Sequence, residues 1–400
     1  MARIATTGTL KRRRRGSRWL SLVLMALLSA WIGMGWGSWG LSSPHPEAAE
    51  FDWGIPYSLP APPVPADNPM NSAKVELGRH LFYDPRLSVT GTLSCAGCHH
   101  QELAFAEDRA VSIGATGEVH PRNSMSLTNV GYTPVLTWGN PLLRRLEQQA
   151  LIPLFGEHPV EMGMVGRERE ILQLLQMDPV YQQLFPQAFP GDIKPTLAHL
   201  VRALAAFQRT LISLGSPYDR YRFGRDPNAI SASARRGEQL FHGEKLGCFH
   251  CHGGLNFSDS LQHERMKFVE IGFHNTGLYN LDAQGSYPFP NTGVYEITGN
   301  PADMGRFKAP TLRNIALTAP YMHDGSIATL KEVIAHYAAG GRTLHAGPWA
   351  GVGSKNPWKS QFVTGFEITT QEQADLLAFL ESLTDLSFTT NPKLANPWKG

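Results

Sequence analysis

Two short segments of the chain carry residue types with well-defined chemistry. Each reads Cys-x-x-Cys-His, and together they use all four cysteines: Cys95, Cys98 and His99 in the first, Cys248, Cys251 and His252 in the second. Thiols at this spacing can form thioethers with the vinyl groups of a haem, and the adjacent imidazole can then reach the iron. A lone Cys-x-x-Cys could be a zinc or redox site. Two copies, each followed by His, predict two covalently bound haem c groups with His99 and His252 as proximal ligands.

The function of such a chain depends on the far face of each iron. An iron with one free face can meet hydrogen peroxide, whereas an iron closed on both faces by His or Met suits electron transfer alone. The two motifs do not reveal the sixth ligand. A non-enzymatic di-haem electron carrier therefore stands as one hypothesis beside an enzyme.

Apolar residues recur at three- and four-residue steps, which predicts helices. Strand signals are weak, so a mainly α fold is expected. The predicted helices are 71–82, 167–185, 195–214, 231–241, 329–339 and 370–383. The segments that follow the two motifs, 91–141 and 252–310, are rich in turn-forming residues, so we expect long ordered loops there. The expected fold class is mainly α, with two cytochrome c-like haem domains joined by a linker at 216–228.

The ends and borders of these domains also follow from the sequence. Residues 1–49 place seven basic residues before an apolar run, which is typical of a signal peptide or an N-terminal membrane anchor and predicts a periplasmic protein. Residues 50–70 contain six prolines and are expected to form an extended arm. The first haem domain is expected at 71–228 and the second at 229–400, with the last helix a candidate to pack back on the first domain.

The charge of the chain excludes one class of partner. Beyond residue 49 the sequence holds 29 basic and 33 acidic residues, so the body is slightly acidic. A nucleic-acid-binding surface would need a basic excess. We therefore expect no nucleic-acid partner, and membrane contact only through the N-terminal segment.

Four segments resemble the bacterial di-haem peroxidase superfamily, which includes cytochrome c peroxidases and MauG. Residues 77–88 (LGRHLFYDPRLS) resemble the run into the first haem, and 159–163 (PVEMG) the peroxide-pocket segment. Residues 309–314 (APTLRN) and 318–325 (TAPYMHDG) resemble the C-terminal signature. The resemblance covers about residues 68–385, and it implies the family's fold, its two haems and its reaction with hydrogen peroxide.

The resemblance also makes the two haems unequal. Conventional peroxidases carry a distal His on the loop after the first haem; the matching position here is Ala115, and His120 falls at a different point of the motif. The first iron is therefore expected to be open. Where those peroxidases place a Met on the second iron, this chain has Tyr337, as MauG-type enzymes do, with His336 as the competing ligand. A phenolate is hard and anionic and favours high oxidation states.

Further roles come from matching positions in the same family. Glu161 matches the pocket glutamate that moves a proton during peroxide cleavage. Gln149 and Pro153 match residues that line the pocket, and His158 could also reach it. Trp138 lies where the family places a tryptophan between the two haems, where an indole can relay an electron.

Two more positions bear on the metal content and on the partner. The family holds a calcium ion between the haems, and the matching oxygen ligands here are the Asn123 side chain and the carbonyls of Thr318 and Pro320. MauG carries a Trp two residues before the second haem motif, where this chain has Leu246. Any electron path to a surface partner must therefore take another route, and MauG's own substrate is not expected.

Segments 146–149, 155–158, 273–280 and 291–296 look most like the MbnH-like branch, in which an enzyme oxidises a tryptophan of a copper-binding partner, MbnP, to kynurenine. The resemblance implies a MauG/MbnH-type oxidase that uses hydrogen peroxide to form a bis-Fe(IV) state and oxidises an aromatic residue, a Trp, of a partner protein such as an MbnP-like copper-binding protein. The alternative enzyme is a periplasmic cytochrome c peroxidase supplied with electrons by a small cytochrome or cupredoxin.

Overall fold

Short helices and long ordered loops make up nearly all of the fold. The computed structural model describes residues 51–398, except Tyr57 and Ile193. Its α-helices are α1 (Ser72–Tyr83), α2 (Leu146–Gln149), α3 (Leu151–Phe155), α4 (Glu168–Met177), α5 (Pro179–Ala188), α6 (Leu197–Arg209), α7 (Pro217–Arg222), α8 (Ala232–Phe241), α9 (Tyr295–Thr298), α10 (Leu330–Ala338), α11 (Thr370–Glu381) and α12 (Leu386–Thr389). Two antiparallel pairs of two-residue strands join β1 (Phe273–His274) to β2 (Phe307–Lys308) and β3 (Thr343–Leu344) to β4 (Gly351–Val352). The prediction of a mainly α fold is confirmed.

One helix crossing organises each half of the chain. Helix α1 leads into the first Cys-x-x-Cys-His motif and packs on α6, and α8 leads into the second and packs on α11. A glycine lies at each crossing: a Cβ atom at Gly78 would lie 1.9 Å from the carbonyl oxygen of Ala203, and one at Gly237 would lie 2.0 Å from that of Asp375. The helix backbones therefore touch, and each motif starts from a fixed position.

The side chains that follow these glycines build the two cores. Phe82 and Phe241, each four residues after its glycine, are almost fully buried. Phe82 packs on Phe207 of α6 at 5.3 Å between ring centroids, and Phe241 packs on Phe379 of α11 at 5.1 Å. Burial of such a side chain stabilises the fold by about 1.5–3 kcal/mol. Both halves therefore share one arrangement: a glycine at the helix crossing and a buried phenylalanine four residues after it.

Two of the predicted helices differ from the structure by more than two residues at an end. The predicted helix 167–185 is divided between α4 and α5, because the Asp178 side chain accepts a hydrogen bond from Val180 N and caps a new helix whose first residue, Pro179, has no N–H to continue the old one. The predicted helix 195–214 is shorter: it begins after the cap residue Thr196 and ends at Arg209.

The linker predicted at 216–228 also differs, because it contains α7. The Ser216 side chain accepts a hydrogen bond from Asp219 N, and the Asp219 carboxylate accepts one from Ser216 N, which forms a capping box. Asp219 also binds the guanidinium of Arg313 with two contacts of 2.9 Å, and both side chains are buried. This tertiary ion pair explains why a short polar segment is helical.

The C-terminal tail, which follows α11, packs back on the first half of the chain. The predicted last helix at 370–383 does not. Helix α11 packs on α8 in the second half. Beyond it, Phe388 is buried in the first core, the Tyr83 hydroxyl donates to Leu394 O at 2.7 Å, and Trp398 Nε1 donates to His80 O at 3.0 Å. The first half is therefore completed by residues from the other end of the chain.

The two predicted haem domains are parts of one compact unit. The described residues from Phe51 onward group as one compact unit, so residues 71–228 and 229–400 are two halves of it. The predicted signal peptide or anchor at 1–49 lies outside the described residues. Within 51–398, none of the helices combines the length and apolar character needed to cross a bilayer.

The crossing of α8 and α11 gives a first testable prediction. Gly237→Ala should lower the free energy of unfolding of the holoprotein by about 1–3 kcal/mol, because the clash with the Asp375 carbonyl outweighs the better helix propensity of alanine. Chemical denaturation measures this change. Gln239→Ala, an exposed substitution on the same helix, is the control and should leave stability almost unchanged. Equal stability of the Gly237→Ala and wild-type proteins would contradict the close crossing.

Candidate active site

The first Cys-x-x-Cys-His motif opens on a cavity of about 480 Å³. Cys95, Cys98 and His99 all line it. His99 Nδ1 lies 2.9 Å from the carbonyl oxygen of Phe105, and because a carbonyl only accepts, Nδ1 carries the proton. Burial lowers the pKa of His99 to about 4, so the ring is neutral. The free electron pair is therefore on Nε2, as an iron ligand requires.

The second motif repeats this arrangement. Cys248, Cys251 and His252 line a separate cavity of about 300 Å³. His252 Nδ1 donates to the carbonyl of Phe257 at 3.1 Å, and burial lowers the pKa of His252. Both acceptor residues have left-handed backbone, with φ of 58° at Phe105 and 49° at Phe257. This conformation costs a residue with a side chain about 1–2 kcal/mol, so tertiary contacts hold both carbonyls in place.

The walls of both cavities suit a haem. In each, two thiols and one imidazole nitrogen face a largely apolar wall, the donor set that covalent haem attachment needs. The second cavity is also lined by the buried ammonium of Lys308, whose one hydrogen-bond acceptor among the described residues is Val135 O at 2.8 Å. Burial lowers the pKa of Lys308 to about 7. A haem propionate would offer this cation a counter-charge.

The predicted peroxide-pocket residues all line the first cavity. They are Gln149, Pro153, His158 and Glu161. The backbone around Glu161 is held from two sides, since Ala115 N donates to Glu161 O at 2.6 Å and Met162 N donates to Pro153 O at 2.8 Å. Burial raises the pKa of Glu161 to about 7, which suits a group that must take and return a proton near neutral pH.

The loop that carries Ala115 leaves the cavity open but contributes another polar group. The Ala115 side chain is not part of the cavity wall, whereas His120 is. His120 Nε2 lies 3.7 Å from Glu161 Oε1, and its Nδ1 lies 3.1 Å from the N–H of Arg122. The family resemblance implies no role for His120. Its position beside Glu161 follows from the fold of the loop, and no spacing in the sequence signals it.

The second cavity distinguishes the two candidate ligands on α10. Tyr337 lines the cavity, but His336 does not; both ring nitrogens of His336 are buried without a hydrogen-bond partner among the described residues. Burial raises the pKa of Tyr337 in the protein alone. Met322 and His323 also line the cavity, and His323 stacks on Phe307 with ring centroids 3.7 Å apart. Their presence was not expected from the sequence.

Trp138 is the one described residue that lines both cavities. Its indole Nε1 donates to Asn123 O at 2.8 Å, and its own carbonyl accepts from Lys308 N at 2.8 Å. Trp138 is therefore held both at its ring and at its backbone. Leu246, at the position before the second motif, is buried in the wall of the second cavity and offers no oxidisable ring.

The predicted calcium ligands lie near this junction. Asn123 N donates to His323 O at 2.8 Å, which places Asn123 beside the loop that carries Thr318 and Pro320. The Asn123 side-chain nitrogen donates to the carbonyls of Arg109 and Ala110, so its oxygen faces away from them. Among the described residues no three His, Cys, Asp or Glu side chains converge, and the expected ligands are amide and carbonyl oxygens instead.

Comparison with known proteins agrees with this geometry. The sequence profile of the di-haem cytochrome c peroxidase family matches residues 72–227. The cytochrome-c peroxidase IdrP1 of Denitromonas iodatirespirans is 35% identical over 85% of this chain and 90% of its own length. The methylamine utilization protein MauG of Methylorubrum extorquens is 34% identical over 80% of this chain and 81% of its own. A crystal structure of a MauG-like protein associated with microbial copper homeostasis is 49% identical, with a TM-score of 0.85, and covers 87% of this chain and 100% of that one.

A mainly α fold with two Cys-x-x-Cys-His cavities defines a cytochrome with two c-type haems. The chain belongs to the di-haem cytochrome c peroxidase family, which includes MauG. It is therefore a peroxidase-type oxidoreductase with hydrogen peroxide as its substrate.

The two candidate ligands on α10 can be separated by spectroscopy. If Tyr337 binds the second iron, Tyr337→Phe should change the ferric absorption and electron paramagnetic resonance spectra of that haem, because it removes the ligand oxygen. His336→Gln, one residue away and outside the cavity, should leave both spectra unchanged. A Tyr337→Phe spectrum identical to wild type would assign the iron to another side chain of the cavity wall.

Proposed function

We propose that this chain is a MauG/MbnH-type oxidase, which uses hydrogen peroxide to oxidise an aromatic residue, a tryptophan converted to kynurenine, on a partner protein. The observation that carries the proposal is Tyr337 in the wall of the second cavity, where the resemblance gives conventional peroxidases a Met. Trp138, in the walls of both cavities, provides the connection that either function needs. An indole at this place can pass an electron between two centres. Peroxide can then react in the first cavity while electrons from the partner protein enter through the second.

The residues of the first cavity would handle the proton. Glu161 takes a proton from one oxygen of peroxide and returns it to the other, which makes the departing oxygen a better leaving group. His120 Nε2, 3.7 Å from the carboxylate, can exchange protons with it. When bound, the two haems supply the redox chemistry itself. The protein contributes a cavity whose wall Ala115 does not enter and a carboxyl with a pKa of about 7.

The partner that we propose is an exported copper-binding protein of the MbnP-like kind. Support comes from the 49% identity to a MauG-like protein associated with microbial copper homeostasis. Replacement of the MauG tryptophan by Leu246 argues for a substrate other than that of MauG. We further propose that the chain acts in the periplasm and binds calcium through Asn123, Thr318 and Pro320.

A conventional cytochrome c peroxidase is the second candidate function. It is supported by the 35% identity to the cytochrome-c peroxidase IdrP1. The two functions differ in the electron source. Rapid peroxide turnover with a reduced small cytochrome or cupredoxin would favour the peroxidase. Formation of kynurenine on a copper-binding protein encoded beside this chain, detected by mass spectrometry after peroxide addition, would favour the oxidase. Absence of that product with every neighbouring exported protein would contradict it.

The proton transfer assigned to Glu161 predicts a pH dependence. The carboxylate form is the base, and a raised pKa means that it is populated only above about pH 7. The second-order rate of reaction with peroxide should therefore rise as the pH increases through 7 and then level off. Glu161→Gln should lower this rate by about 100-fold or more and abolish the rise. Stopped-flow absorption measures both effects, and an unchanged profile in the variant would remove Glu161 from the reaction.

The relay assigned to Trp138 predicts a separation of steps. Trp138→Phe should lower partner oxidation by about tenfold or more, while the first reaction with peroxide stays near the wild-type rate, since Glu161 is untouched. Trp358→Phe, at an exposed tryptophan outside both cavities, is the control. Haem content and thermal stability should match in all three proteins. Full partner oxidation by Trp138→Phe would exclude the relay.

A further inference from the structure

A chain of aromatic rings leads away from the second cavity. It begins with Phe307 and His323, which line the cavity and stack at 3.7 Å and 11°. Tyr287 lies 6.3 Å from each of these rings, measured between centroids. Tyr279 lies 5.5 Å beyond Tyr287. A stacked pair of rings at the cavity wall, then Tyr287, then Tyr279 thus form a path from the cavity to the neighbourhood of Asp324. Tyr279 is buried, and Asp324 beside it is half-buried.

The two tyrosines of this chain differ in their hydrogen-bond partners. The Tyr279 hydroxyl donates to Asp324 Oδ2 at 2.6 Å, a short bond to a carboxylate. The Tyr287 hydroxyl donates to the amide oxygen of Asn275 at 2.8 Å. A tyrosine that loses an electron must also lose its phenolic proton, and a carboxylate can accept that proton whereas an amide oxygen cannot. A neutral tyrosyl radical can therefore form on Tyr279.

Another ring stack lies beside the second cavity but lacks an oxidisable group. Phe249 and His250 are 4.2 Å apart, and His250 stacks on the exposed Phe362 at 4.5 Å. Phenylalanine and imidazole rings are much harder to oxidise than a phenol. Leu246, which lines the same cavity, has no ring at all. The tyrosine chain is the better conductor of the two.

A rival tyrosine with a carboxylate partner exists in the same half. Tyr218 donates to Glu238 Oε1, but at 3.2 Å. It connects to the cavity through two rings. The centroid of Phe257 lies 5.4 Å from that of Tyr218 and 6.0 Å from that of Phe241, which lines the cavity. The longer hydrogen bond makes Glu238 a weaker proton acceptor. Tyr218 therefore serves as a matched control.

We propose that Tyr279 is the relay residue through which oxidising power leaves the second cavity, with Asp324 as its proton acceptor. The inference rests on the oxidase function proposed above. In each transfer Tyr279 gives one electron inward through Tyr287 and its phenolic proton to Asp324. The neutral phenoxyl radical then takes one electron from the aromatic residue of the docked partner, and Asp324 returns the proton. Hydrogen peroxide is the oxidant, and each passage moves one electron.

Electron paramagnetic resonance of the holoprotein tests the relay without a partner. After peroxide addition, wild-type protein should show a tyrosyl radical signal that narrows with ring-deuterated tyrosine. Tyr279→Phe keeps the ring beneath the Arg342 guanidinium, 4.5 Å from its centroid, and loses only the hydroxyl, so the fold should survive. This variant and Asp324→Asn should lose the signal. Tyr218→Phe should keep it.

Partner oxidation then separates this inference from the function on which it rests. If wild-type protein oxidises the partner and Tyr279→Phe does so about tenfold more slowly or worse, with an unchanged first reaction with peroxide, the relay is supported. If both proteins oxidise the partner equally, or if Tyr218→Phe alone loses the radical signal, the relay is wrong and the function stands. If wild-type protein shows no partner oxidation, the proposed function itself fails.

Discussion

A buried network of polar side chains locks the two halves of the molecule together. The Asn314 side chain donates to Ser213 Oγ at 3.0 Å and accepts from Asp385 N at 2.7 Å, while Asn129 accepts from Ser213 N at 2.7 Å and donates to Asn256 at 3.1 Å. All five residues are buried. Loss of one partner would leave a buried polar group unsatisfied at about 1–3 kcal/mol. The halves therefore have one mutual arrangement, in which a single indole borders both cavities.

The same motif serves two chemical environments. The histidines of both motifs use Nδ1 to bind the carbonyl of a phenylalanine with left-handed backbone, so each leaves Nε2 available to an iron in the same way. The difference lies in the other residues that line each cavity. There the first cavity offers a carboxyl with a raised pKa and an imidazole beside it, and the second offers a tyrosine and a stacked histidine. The proposed function accordingly assigns proton transfer to the first cavity and electron exit to the second.

A buried ion pair holds the backbone near each cavity. Arg313, in the C-terminal signature, binds Asp219 of α7 and donates from Nε to Leu255 O at 2.9 Å, three residues beyond His252. Because breaking a buried pair costs about 3–5 kcal/mol, this contact holds the segment that orients the second proximal histidine. In the first half, Glu147 and Arg209 pair at 2.7 Å and fix α2 on α6 beside the peroxide pocket. A buried ion pair therefore stabilises a segment next to each cavity.

The sequence alone determined what is local: the two Cys-x-x-Cys-His motifs, the helices that precede them, the family, and the group of residues from Gln149 to Glu161 that share the wall of the first cavity. These depend on residue identity at short spacing. Only the tertiary structure decided that Trp138 borders both cavities, that His120 lies beside Glu161, that α7 forms on an ion pair with Arg313, and that the tail completes the first core. These contacts join residues far apart along the chain or on irregular loops, where no periodic pattern records which side chain faces which neighbour.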